Sequence, residues 1–214
     1  MIVNYAFTRM ISFIKNEKAF YLPYFFLMLF FNIGETYFLG MGQEIFSLYL
    51  ASLFIAILGV VTQVSFFYAL NYTYGLGKEE MPFSKSLWNG LCFTPGYILE
   101  MIKVIIRSFL GLFLFIVPGI YWLFKHNLDP YYTMISEEGS PYRESFSRKD
   151  LKEVILLCMP FIIISLGFFP WATLYKFRAL EYLQTPVSTL VSIGGLTAIY
   201  FYIDYLERVR TKSC

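Results

Sequence analysis

The sequence is short of everything a soluble catalyst relies on. It has 1 histidine and 3 cysteines, and only 15% of its 214 residues are charged. A lone His126 removes most histidine-centred acid–base and metal chemistry. Cys92, Cys158 and Cys214 form no CxxC pair and leave an odd number, which excludes a disulfide framework and a thiolate zinc site. No GxSxG, GxxxxGK[ST] or HExxH segment is present. No cofactor, no metal and no catalytic residue is therefore expected, and the chain is read as a non-enzyme. A formal net charge of +2, with Lys and Arg scattered along the chain, gives nucleic acid no basic stripe to bind. The opening residues lack a compact apolar core followed by a small-residue cleavage site, so no removable signal peptide is expected.

What the sequence has instead is apolar bulk. Hydrophobic residues make up 57% and aromatics 21%, and the mean hydropathy is +0.58. A single soluble domain of this length has too little interior for that much apolar surface, so lipid has to cover the excess. The expected fold class is all-α, a polytopic transmembrane helical bundle forming one integral membrane domain. Runs near the ~20 residues needed to cross a bilayer fall at about 20–39, 45–72, 96–117, 120–135, 151–174 and 187–206. Pro118-Gly119 separates the third run from the fourth, because proline lacks a backbone donor and glycine allows a sharp turn. If that pair lay inside one continuous helix, the count would be five. Six spans place most of the 17 Lys and Arg residues on one side together with both termini, the cytoplasmic side by the positive-inside rule.

Two segments read as interfacial amphipathic helices. In residues 1–18, Val3, Phe7, Met10 and Ile14 recur at helical spacing, and Asn4, Thr8, Ser12 and Asn16 form the opposite face. Ser140-Pro141 is a good helix start. It precedes Tyr142, Phe146 and the basic residues Arg143, Arg148 and Lys149, which are candidate inner-leaflet contacts. Ser52 with Ala56, and Gly194 with Ala198, have the four-residue small-residue spacing that allows close helix contact.

Charges inside the runs are the most informative polar feature, because an ionisable group at mid-bilayer costs several kcal/mol and is usually turned inward and paired. Arg107, Lys125, Asp129 and Asp204 form the candidate intramembrane polar cluster. Arg107 is expected near the midplane, buried, and paired with Asp129 or Asp204. The cluster has two readings, a set of ion pairs that fixes helix packing or the lining of a polar path.

The stretch GLFLFIVPGIYWLFKHNLDPYYTMISEEGSPYRESFSRK, Gly111 to Lys149, resembles the YciC-type family of bacterial inner-membrane proteins, itself related to membrane domains of some glycerophosphodiester phosphodiesterases. Pro118, Gly119, Ile120, Pro130, Glu138, Gly139 and Ser147 carry the likeness, and the opening YAFTRMISFIKNEKAF and closing TAIYFYIDYLERVR share it. Lys125, His126 and Asp129 depart from it, standing where the family is usually apolar. The resemblance implies a six-helix inner-membrane protein whose family has no established biochemical function. The expected partners are membrane lipids, and a membrane-protein partner or a second copy of the chain. The expected role is a structural or accessory component of the envelope or of a membrane complex. The alternative is a small transporter or channel subunit.

Overall fold

A computed structural model describes residues 2–41, 46–75, 81–114, 120–121, 123, 125–126, 128–131, 152–164 and 178–211. The described chain is all-helical. Its elements are α1 (Ile2–Asn16), α2 (Lys18–Met41), α3 (Phe46–Leu70), α4 (Phe83–Leu114), α5 (152–164) and α6 (Arg178–Thr211), with a π-helical turn, Asn71–Gly75, closing α3.

Three helical segments are long and apolar enough to cross a membrane: Ser47–Gly75, Phe83–Gly111 and Gln184–Leu206. They correspond to the second, third and sixth runs of the sequence. The first run forms α2, which at 24 residues is long enough to span and carries Asn32, Gly34, Glu35 and Thr36 in its second half. The second half of the fifth run, the Pro118-Gly119 turn and the basic segment with Arg143, Arg148 and Lys149 lie outside the described residues. So does much of the fourth run. Its described part is helical up to His126, turns at Leu128 and resumes at Asp129.

Many of the hydroxyls in these segments are satisfied within their own helix, as a bilayer interior favours, although the buried hydroxyls of Thr73 and Ser108 find no hydrogen-bond partner among the described residues. In α3 the hydroxyls of Ser52, Thr62 and Ser65 donate to the carbonyls of Tyr49, Leu58 and Val61. In α6 Ser188 and Thr189 both donate to the carbonyl of Thr185, Ser192 donates to Ser188 and Thr197 to Ile193. A hydroxyl that bonds back one turn in this way costs little when carried into an apolar environment.

The bundle is organised by close approaches of backbone. Gly34 of α2 lies against Ile55 of α3, and Gly59 of α3 against Phe31 of α2, so the two run antiparallel. At the α3–α4 crossing, a Cβ added at Gly90 would stand 2.7 Å from the Cα and Cβ of Ser65, so only glycine fits. Asn32 Nδ2 donates to Thr189 Oγ1 at 2.9 Å, tying α2 to α6. Only 22% of the α4 segment is buried against 56% of the α6 segment, so α6 is the central helix and α4 a peripheral one.

The periodicity of α1 is as the sequence predicts, with Ala6 and Phe13 buried and Asn4, Thr8, Ser12 and Asn16 exposed. Its apolar face, however, is covered by protein. Tyr5 meets Tyr205 with ring centroids 5.0 Å apart and Phe7 meets Phe161 at 6.0 Å, while Met10 and Ile14 lie against Gly194. The chain then turns at Glu17, whose carbonyl accepts from the amides of Phe20 and Tyr21. Phe13 packs on both of those rings and locks the elbow.

The opposite surfaces are strongly apolar. Phe26, Phe30 and Ile33 on α2, Leu50, Leu53 and Phe54 on α3, and Leu99, Ile102, Ile105 and Phe109 on α4 are all exposed. Water would not tolerate a contiguous surface of this kind on a monomer.

Candidate functional site

Two places in the fold concentrate polar chemistry. The first is the end of the bundle where the α1–α2 elbow, the π turn and residues 200–206 of α6 converge. Phe13, Phe20, Tyr24, Phe66, Tyr74 and Phe201 form a continuous edge-to-face and tilted aromatic cluster there. Such geometry adds to plain burial because ring edges meet ring faces. Phenolic oxygens at its margin find partners. Tyr24 and Ser86 share a buried hydrogen bond, and Tyr202 donates to Glu153 Oε2 at 3.3 Å. Deeper along the same core, Tyr131 packs on Phe67 with centroids 5.0 Å apart and accepts from Tyr97 at 3.3 Å. The side chain of Asn71 folds over Gly75, close to the hydroxyl of Tyr200. None of these tyrosines was singled out by sequence. The available signal was the density of aromatics between Phe66 and Tyr74, which reads equally as an ordinary apolar run.

The second place holds the charges of α4 and of the segment after it. The expected pairing of Arg107 with Asp129 or Asp204 is corrected here. Arg107 is exposed on α4, and among the described residues no carboxylate pairs with it. Asp129 Oδ2 instead bonds His126 Nδ1 at 2.6 Å, three residues away. Lys125 lies over the ring of Tyr121, 5.5 Å from its centroid. Asp204 is 8% exposed in the core end of α6. The pair that α4 does form is Lys103 Nζ to Glu100 Oε1 at 2.7 Å.

Centring the α3 segment in a bilayer gives Arg107 a different depth from the midplane expected of it. The α3 segment Ser47–Gly75 is centred on Val61, and Gly90 passes Ser65 at the crossing. The level of Val61 therefore falls near residue 94 of α4, and Arg107 is about 13 residues, or roughly 20 Å of helix, further along. With α3 centred, that distance reaches the boundary of a hydrocarbon core about 30 Å thick. Counting back from Pro118 gave a mid-bilayer position because it took α4 to begin at residue 96, whereas the helix starts at Phe83.

The His126–Asp129 pair fixes the imidazole through Nδ1 and braces the turn at Leu128. Among the described residues no group of three or more His, Cys, Asp or Glu is placed to hold a metal ion. Compared with protein-family models, curated proteins and solved structures, the chain matches none.

Proposed function

We propose that this chain is a non-enzymatic, multi-pass protein of the bacterial inner membrane, a structural or accessory component of the envelope or of a membrane complex, in contact with lipid. The observation that carries this reading is the exposed apolar surface of α2, α3 and α4, borne partly on segments long enough to cross a bilayer. Six spans with both termini cytoplasmic fit the distribution of Lys and Arg. The resemblance to the YciC-type family, carried by the segment around Pro118-Gly119, points the same way. The transporter alternative drew on a path through Arg107, Lys125 and Asp129. The bond from Asp129 to His126 and the exposure of Arg107 on α4 favour the accessory role over such a path.

The test is retention and co-purification. The chain is expected to stay with the membrane pellet after an alkaline carbonate wash, and to elute from detergent with a stable protein partner or bound phospholipid. Release by carbonate would overturn the spanning reading. Substrate-dependent flux in liposomes containing the chain alone would overturn the accessory role.

A further inference from the structure

Arg107 combines three properties that together define a ligand. It is an exposed guanidinium, no carboxylate among the described residues neutralises it, and it sits at the depth of the lipid headgroups by the helix-crossing argument above. The surrounding stripe refines the picture. Glu100, Lys103 and Arg107, at i, i+3 and i+7, share one flank of α4, bordering the buried face of Val104 and Ser108. The Lys103 side chain is 41% exposed but already compensated by Glu100, so among the described residues the flank carries one surplus positive charge. On the bilayer side of Arg107, Leu99, Ile102 and Ile106 are exposed at 55%, 46% and 53%. They form an apolar track leading from the charge towards the membrane centre.

We propose that this flank of α4 holds one phospholipid of net charge −1, its phosphate on the Arg107 guanidinium and its acyl chain along Leu99, Ile102 and Ile106. Planar, bidentate donation suits a phosphate diester. A single surplus cation selects an anionic headgroup over a zwitterionic one, whose own ammonium already compensates its phosphate. The site lies at the end of the bundle where α3 begins, opposite the Glu17 elbow. The proposal rests on the spanning reading of the chain and deepens it by naming the lipid class and the residue that selects it.

The test uses the full-length chain, purified in detergent and titrated with phosphatidylglycerol or phosphatidylcholine under native mass spectrometry. Wild type is expected to prefer phosphatidylglycerol. Arg107→Gln should weaken phosphatidylglycerol binding about fivefold, the effect of one basic residue near an anionic surface. Arg107→Lys should keep most of it, and Arg9→Gln, an exposed cation on α1, should leave it unchanged. Equal binding of the two lipids by wild type, or equal phosphatidylglycerol binding by wild type and Arg107→Gln, overturns the site. Displacement of the lipid by millimolar inorganic phosphate also overturns it, by showing a free-anion site. Should Arg107→Gln fail to fold, the wild-type comparison and Arg107→Lys still decide. These failures are separate from release by carbonate, which strikes the spanning reading itself.

Discussion

Gly90 offers the sharpest test of the packing. A methyl group added there would stand 2.7 Å from both Cα and Cβ of Ser65. The obstacle is partly backbone, so no change of rotamer relieves it, and α3 and α4 would have to separate. Overpacking of this kind costs about 1–3 kcal/mol, while replacing glycine by alanine within a helix returns up to about 1 kcal/mol. Gly90→Ala should therefore lose roughly 1–2 kcal/mol, or about 2–8 °C in melting temperature for a chain of this size. Gly90→Leu should lose more. Gly96, six residues further along the same helix, is the internal control, because nothing lies within 4 Å of its added Cβ. Gly96→Ala should be neutral or slightly stabilising. Thermal unfolding in one detergent, followed by intrinsic tryptophan fluorescence, measures all three. If Gly90→Ala melts with or above Gly96→Ala, the helices do not cross at Ser65. The bilayer level assigned to Arg107 would then fall with that crossing.

The buried Tyr24–Ser86 hydrogen bond ties the start of α2 to the start of α4. Tyr24→Phe should cost about 1 kcal/mol, and its effect should vanish in a Ser86→Ala background; unchanged melting of Tyr24→Phe would refute the link. The Asn32–Thr189 bond between α2 and α6 should show a smaller coupling, near 0.6 kcal/mol, in a double-mutant cycle of Asn32→Leu and Thr189→Val. Strict additivity of the two substitutions would count against it. Compartment-sensitive reporters fused before Ile2 and after Cys214 should both report the cytoplasmic side, and an external signal from either would sink the six-span topology.

Some of this structure was legible in local sequence. The apolar runs at 45–72 and 187–206 became helices because span length and hydropathy are properties of contiguous residues. The periodicity of Val3, Phe7, Met10 and Ile14 fixed α1 as amphipathic for the same reason. The start of α4 was not legible. The third apolar run reads as starting at about residue 96, yet the helix begins at Phe83, and its first turns rest on Tyr24 and Ser65 from other helices. The exposure of Arg107 was not legible either, because burial depends on which face of α4 the neighbouring helices cover.

The sequence by itself determined that the chain is helical, apolar beyond what one soluble domain of its size can bury, and sparse in catalytic groups, since composition and short-range periodicity govern all three. Tertiary structure decided what covers each face. It turned the stripe of α1 onto α5 and α6, made Gly90 indispensable to a crossing, sent Asp129 to His126, and left Arg107 exposed on α4. Those outcomes depend on pairs of residues far apart in the chain. Their energies come from steric fit and charge compensation between helices, and neither is written in the hydropathy or period of any single segment.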